Sequence, residues 1–389
     1  MSSANTDQPA AAHDGHGQLR VLVVMPLGEA LGGGEEMLRQ LLREGRSADI
    51  EWSVAFLRHG PLVAEVRGLG ITCHVIEAGR FRQLGRRVTA VMRLARLAQE
   101  SEVDLMFGWM VAGQAMAGPA ALLAGIPSAW YQVATAGGDW LDRFANVWPA
   151  RGVITLSRAG ADAQARAWPR RPVHLVHPGV SLAAGERVRA LDPVALRGRL
   201  GLPAAGRIVG MVGRLQRWKG VHVFLDAVAE LHGAEPAIRA VVVGGEHETE
   251  PGYPAELRAQ AVRLGIAYAV TFAGFQSNAL EWMQAMDVVV HASDHEPFGI
   301  VVIEAMALGK PVVAGAAGGP AEIITDGVHG LLTPFGDSTA LARAIQRLLA
   351  DPGLATRLGG AAQRRAAEFS DAAYAANVIA ALRLCIFRR

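Results

Sequence analysis

Two successive series of short apolar runs, separated by helical patterns, constrain the fold of this chain more than any other feature. The first opens with Leu19-Arg-Val-Leu-Val-Val-Met25 and continues through Trp52–Leu57, Ile71–Ile76, Val103–Phe107, Ser128–Gln132, Val153–Leu156 and Val173–Val176. Runs this short and rich in branched residues read as buried strands, while the stretches between them space apolar residues as a helix does, as at Met37, Leu38, Leu41 and Leu42. Alternation of this kind gives a parallel sheet with helices on both faces. His177-Pro-Gly-Val-Ser181 interrupts the pattern, and residues 182–206 read as loop and short helix. A second series starts at Ile208 and runs through Ala240–Val243, Val270–Ala273, Val288–His291, Pro311–Ala314 and Gly330–Leu332, with helices following near 337–350, 353–368 and 371–385. The expectation is an α/β protein of two doubly wound, Rossmann-like domains, residues 19–180 and 181–370, facing across a cleft with a hinge near 178–182.

Composition narrows the class. A chain of 389 residues, 51% apolar and 19% charged, is long enough for two sizeable cores. No uninterrupted apolar run is long enough to span a bilayer. Residues 1–18 are polar and lack an apolar signal core, so they read as a disordered tail. Cys73 and Cys385 show no metal or redox spacing, which points to a reducing compartment and a cytoplasmic location. A net charge of +2 argues against a nucleic-acid partner. Arginine supplies nearly all the positive charge, and the only lysines are Lys219 and Lys310.

The densest chemistry lies between His291 and Ala314. The strand ending at His291 enters a loop carrying Glu296, and Pro297, Phe298 and Gly299 then open a helix that ends near Gly309. Glu304 falls about two turns into that helix. The amides of Phe298, Gly299, Ile300 and Val301 have no acceptor within the helix, and free N–H groups at the positive end of a helix dipole favour phosphate. A carboxylate on either side suits a ligand with hydroxyls at both ends and phosphates between them. A nucleotide-sugar has that shape.

This block resembles the Glu-x7-Glu signature of the family 4 retaining glycosyltransferases, which have the GT-B fold. Val209-Gly-Met-Val-Gly-Arg-Leu-Gln-Arg-Trp-Lys-Gly220 is similar to that family's strand, Gly-Arg loop and Lys-Gly segment. Val241-Val-Val-Gly-Gly245 resembles its next strand and glycine turn, Phe272-Ala-Gly-Phe275 its Phe-x-Gly loop, and Gly32-Gly-Gly-Glu35 its amino-terminal Gly-Gly-x-Glu element. In order and spacing these elements extend from residue 20 to about 370.

The resemblance implies retaining transfer of a hexose-type sugar from a UDP- or GDP-linked donor to a hydroxyl acceptor, with the acceptor on the first domain and the donor on the second. It implies that Arg214 and Lys219 hold the leaving diphosphate, that Glu296 contacts donor sugar hydroxyls without acting as a nucleophile, and that Glu304 binds the ribose. Gly33 and Gly34 then approach the diphosphate from the first domain. Gly213 and Gly244 form strand-end turns at the donor, Gly274 and Phe275 line the base pocket, and Phe298, Gly299, Ile300 and Val301 supply amides. The chain contains no Asp-x-Asp, the metal–diphosphate motif of GT-A enzymes, so no metal or other cofactor is expected. The last helix, about 371–389, is expected to cross back onto the first domain. Rival readings are a nucleotide-sugar 2-epimerase of the same fold class and a non-catalytic nucleotide-sugar-binding protein.

Three further features need placing. His291 and His295 have metal-ligand spacing but read as loop residues beside Glu296. The family's first domain carries a histidine at the end of the strand Ser128-Ala-Trp-Tyr-Gln132, where this chain has Gln132 or Val133. Arg80, Arg82, Arg86, Arg87, Arg93 and Arg96 run along a loop and helix whose buried stripe is read as Leu84, Val88, Val91, Leu94 and Leu97. That basic face is either solvated or a peripheral contact with the inner membrane face.

Overall fold

A computed structural model describes residues 18–387 apart from 30–31, 47–48, 81 and 135–139. Of the expected tail, residues 1–18, all but Gln18 lie outside the described residues; Gln18 leads directly into the first strand. The amino-terminal part runs β1 (Leu19–Met25), α1 (Gly33–Glu44), β2 (Ile50–Phe56), α2 (Pro61–Gly68), β3 (Thr72–Val75), α3 (Leu84–Glu100), β4 (Leu105–Trp109), α4 (Met110–Ala124), β5 (Ser128–Gln132), α5 (Trp140–Val147), β6 (Val153–Thr155), α6 (Arg158–Arg166) and β7 (Val173–Leu175). Two short helices follow, α7 (Leu182–Arg189) and α8 (Pro193–Arg199). The carboxyl-terminal part runs β8 (Ile208–Val212), α9 (Val221–Ala234), β9 (Arg239–Val243), α10 (Tyr253–Arg263), β10 (Val270–Gly274), α11 (Ala279–Ala285), β11 (Val288–His291), α12 (Ile300–Ala307), β12 (Val312–Gly315), α13 (Pro320–Ile323) and β13 (Leu331–Thr333). It ends in α14 (Ser338–Ala350), α15 (Pro352–Ala366) and α16 (Asp371–Phe387).

The strands form two parallel sheets, ordered β3-β2-β1-β4-β5-β6-β7 and β10-β9-β8-β11-β12-β13. Helices cover both faces, so the central strands are buried on both sides. Val21 through Met25 and Val288 through Val290 are essentially inaccessible, which is why these strands read as continuous apolar runs and not as alternations. In each sheet the chain starts in the middle, winds outward, then returns to the other side of its first strand. The order reverses between β1 and β4 in the first sheet and between β8 and β11 in the second. Ligands of open α/β sheets bind at such reversals, beyond the carboxyl ends of the strands.

The two domains are joined by two crossings that run side by side. Val180 donates its amide to the Phe369 carbonyl at 2.8 Å, and Asp371 donates back to Val180 at 3.1 Å. His177 stacks on Phe298 and meets Phe369 edge-on. After the second crossing, α16 packs against α1 of the first domain. A further bridge comes from Glu322 on α13, whose carboxylate accepts the amides of Arg158 and Ala159 at the start of α6.

Helix α3 does not bury Leu84 and Val88. Its buried face is Ala90, Leu94, Ala95 and Ala98, while Leu84 and Val88 are 72% and 58% exposed. The alanines let α3 lie close against α4, and that close approach fixes the inward face of the helix.

Candidate active site

The second-domain half of the site is built where β8 and β11 lie side by side. Gly213 and Arg214 leave β8, and a short 3-10 turn, Arg217–Lys219, brings Lys219 back over the strand ends. Gly220 can close that turn because its backbone is left-handed and any Cβ would stand 2.1 Å from the Ala292 carbonyl oxygen. From β11, His291 and the following loop deliver Glu296. Lys219 Nζ forms a short ion-paired hydrogen bond to Glu296 Oε2. The same oxygen receives His291 Nε2 at 3.0 Å and the Ser293 hydroxyl at 3.5 Å.

Burial alone would raise the Glu296 carboxyl, but the Lys219 ammonium and then His291 override it and hold the group down at about 2. Glu296 is therefore an ionised acceptor at neutral pH and cannot donate a proton. Burial pushes Lys219 downward, and the charge of Glu296 restores it only in part. Arg214 is exposed, with its guanidinium 3.3 Å from His247 Nε2.

Beyond Glu296 the chain turns into α12. Among the described residues, no acceptor is found for the amides of Phe298, Gly299, Ile300 or Val301. The loop carrying them is held by the turn after β12. Gly319 donates its amide to the Glu296 carbonyl at 2.9 Å. A Cβ on Gly318 would stand 2.2 Å from the Glu296 carbonyl oxygen, and one on Gly319 2.0 Å from that of Phe298. Gly319 has ordinary helical dihedrals, so its requirement is purely steric. Gly319→Ala is expected to push the Glu296–Gly299 loop outward and, for the nucleotide-sugar donor that the sequence resemblance implies, to lower kcat/KM by roughly 100-fold, the scale of a 1 Å misplacement. Steady-state kinetics across a donor titration would check this; parent-like values would mean the loop is not placed by this turn.

The first domain closes the site from above. Gly32 to Gly34 follow β1, and Trp109 Nε1 donates to the Gly34 carbonyl at 3.0 Å. A Cβ on Gly33 would stand 3.0 Å from the side chain of Ile300, so the glycine loop rests against the start of α12. The space a Cβ on Gly34 would need is filled by the Met110 methyl, and Met110 itself has a left-handed backbone. Glu35 is buried and shifted upward by desolvation, offset in part by Arg214 across the cleft. Glu304, in the second turn of α12, is pushed up to about 8 by burial and by the charge of Glu36.

The structure thus brings together Arg214, Lys219, Glu296, Glu304, Gly33, Gly34, Gly213 and the amides of residues 298–301. Gly244 belongs to the neighbouring turn and presses on Gly213, its missing Cβ 1.8 Å from the Gly213 carbonyl oxygen. Gly274 and Phe275 lie further out, Gly274 ending edge strand β10 and Phe275 following it; the Gly274 carbonyl accepts the Gly244 amide, and Phe275 is exposed. His291 and His295 do not act together. His291 faces Glu296, while His295 is exposed beside Asp294 and Trp218. Among the described residues, no group of three or more His, Cys, Asp or Glu side chains gathers as a metal site would require.

Gln132 is buried at the end of β5, and among the described residues neither its amide atoms nor the hydroxyl of its strand neighbour Thr155 has a hydrogen-bond partner. Sequence reasoning missed Glu36, Met110, His291's role at Glu296, and Gly318-Gly319. The last had a readable signal, a glycine pair between a strand and a helix-opening Pro320.

The two-domain architecture with facing strand ends is that of the GT-B glycosyltransferases. The chain superposes on the crystal structure of Anabaena Alr3699/HepE in complex with UDP and glucose with a TM-score of 0.84, at 28% identity over 94% of this chain and 100% of that one. It matches the sucrose-phosphate synthase of Thermosynechococcus elongatus in fold, with a TM-score of 0.75, 24% identity, and 94% of this chain and 98% of that one covered. Residues 195–365 match the family described as Glycosyl transferases group 1. A D-inositol 3-phosphate glycosyltransferase of Streptomyces bingchenggensis (strain BCW-1) is 38% identical over 226 residues, 56% of this chain and 49% of that protein. A lipopolysaccharide core biosynthesis glycosyltransferase, LpsE, of Rhizobium meliloti (strain 1021) is 37% identical over 172 residues, 44% of this chain and 47% of that protein. The chain spans about half the length of the curated relatives it matches.

Proposed function

We propose that this protein is a retaining, family 4 glycosyltransferase that moves a hexose-type sugar from a UDP-linked donor to a hydroxyl acceptor. The observation that carries the reading is the meeting, at the reversal points of both sheets, of four unpartnered amides, a glycine loop and an ionised Glu296 paired to Lys219. A diphosphate fits between the amides of residues 298–301 and the cations Arg214 and Lys219, and Glu296 accepts from sugar hydroxyls. The Anabaena neighbour, crystallised with UDP and glucose and with UDP-glucose, supports UDP over GDP as the nucleotide.

In the proposed reaction the bond from the sugar's anomeric carbon to the β-phosphate oxygen breaks, and the acceptor oxygen bonds to that carbon from the same face. The acceptor's proton passes to the departing phosphate oxygen, so no protein base is needed. Positive charge developing on the sugar lies near Glu296, and negative charge on the leaving diphosphate is met by Lys219 and Arg214. With two cations in that role the reaction is proposed to need no metal ion.

The test is transfer from UDP- and GDP-sugars to a panel of hydroxyl acceptors, with product configuration read by NMR and with chelator in parallel. Retention, UDP preference and indifference to chelator are expected. Glu296→Ala is expected to abolish transfer while UDP affinity, read by calorimetry, stays within a few-fold. Inverted product or donor binding without turnover for any acceptor would overturn the proposal.

A further inference from the structure

The helices α3, α4 and α5 form one layer on a single face of the first sheet, α4 packing against both of the others. In a parallel sheet such helices start at the strands' carboxyl ends, so Leu84 and Trp140 mark the cleft end of this layer. Both outer helices leave large apolar side chains in solvent there. On α3, Leu84, Val88 and Met92 recur every fourth residue, with Met92 53% exposed. On α5, Trp140, Phe144 and Val147 repeat at helical spacing, with Trp140 64% exposed. Monomeric soluble proteins rarely expose apolar patches larger than a few hundred Å² unless the patch meets another surface.

Charge identifies the partner. Between residues 77 and 96 there are six arginines against Glu77 alone. At about 100° per residue, Leu84, Val88 and Met92 share one sector of the outward face of α3, and Arg86, Arg93 and Arg96 share the next. Arg96 is paired with Glu100, but among the described residues Arg82, Arg86, Arg93 and Arg143 have no ion-pair partner. Apolar and cationic strips side by side on a helix lying along the surface fit the boundary between headgroups and acyl chains, where tryptophan is also favoured.

We propose that the α3–α5 face docks on an anionic lipid bilayer, laying Leu84, Val88, Met92, Trp140 and Phe144 into the interface with the arginines on lipid phosphates. This goes beyond the transferase reading and does not depend on it. Where both hold, the bilayer stands at the first-domain lip of the cleft and the acceptor hydroxyl is carried by a lipid. Among the described residues no helix is long and apolar enough to cross a membrane, so the contact is peripheral.

The experiment is sedimentation of the full chain with phosphatidylcholine vesicles, with and without phosphatidylglycerol, at low and high salt. Binding is expected only with phosphatidylglycerol and is expected to fall with salt. The double variants Arg86→Glu/Arg93→Glu and Val88→Asp/Met92→Asp should each bind more than about tenfold less, each cation near an anionic surface counting for several-fold. Far-UV circular dichroism and Tm, unchanged in both variants, show that they remain folded. Equal binding of parent and variants, equal binding to neutral vesicles, or no sedimentation of the parent would overturn the proposal. So would a parent dimer that becomes monomeric in Val88→Asp/Met92→Asp, since the face would then belong to a second copy.

Discussion

Lys219→Ala is expected to lose stability and donor turnover together. The substitution leaves Glu296 buried and ionised with only His291 and Ser293 facing it. Breaking a buried ion pair from one side costs about 3–5 kcal/mol, because the remaining charge is uncompensated. The remaining partners of Glu296 place the loss at the lower end, and about 3 kcal/mol corresponds to a fall in Tm of roughly 6–12 °C for a domain of this size. The effect has a pH signature. The folded carboxyl is held below its unfolded value of 4.5, so its contribution is present above that pH and fades as pH falls toward about 2. The difference in Tm between parent and variant should therefore shrink in acid. Turnover should fall by roughly 100- to 1,000-fold if the ammonium also meets the leaving diphosphate. The double variant Lys219→Met/Glu296→Gln separates the two effects: scanning calorimetry should show most of the stability restored, and kinetics should show no recovery of transfer. A single variant with normal Tm and normal kcat/KM would remove Lys219 from the site.

The fold was readable because parallel strands buried on both faces announce themselves as short apolar runs. Val21 through Met25 needs no partner sequence to be recognised as interior. The positions of Arg214, Lys219, Glu296 and Glu304 at strand ends and a helix start were readable for the same reason, since each follows directly from an adjacent strand. Contacts made across the chain were not. Lys219 and Glu296 lie in the loops that follow neighbouring strands β8 and β11 yet far apart in sequence, so their pairing depends on the strand order. The approach of Glu36 to Glu304 depends on how the two domains face each other, which no local pattern encodes. Helix α3 shows the opposite failure. Of the large apolar residues read as its inward stripe, Leu94 is buried but Leu84 and Val88 face outward, while the small alanines at 90, 95 and 98 complete the face against α4. Side-chain size, not only hydrophobicity, decides which helix face approaches a neighbour.

Nucleotide affinity is expected to rise with pH between about 6 and 8, and Glu304 is the reason. Burial and the nearby charge of Glu36 push its carboxyl up to about 8, so in the ligand-free protein it is mostly protonated at neutral pH. Hydroxyl groups of a ribose donate to a carboxylate better when it is ionised, so binding should draw the proton off and release it to solvent. Calorimetric titration with UDP in buffers of different ionisation enthalpy would count that proton directly, and the affinity should climb up to tenfold per pH unit below the folded value. Glu304→Gln removes both behaviours: UDP should bind more weakly and without pH dependence. The ligand-free variant should do the reverse in stability. Because the folded carboxyl is raised above its unfolded value of 4.5, the parent's gain from Glu304 is complete below that pH and is lost as pH rises through about 8. The Gln variant lacks this loss, so at pH 9 it should melt higher than the parent by several degrees, at roughly 2–4 °C per kcal/mol. Opposite signs for stability and affinity from one substitution distinguish a ligand-binding carboxylate from a structural one. A variant that lowers Tm at pH 9 and leaves UDP affinity and its pH profile untouched would assign Glu304 to the core alone.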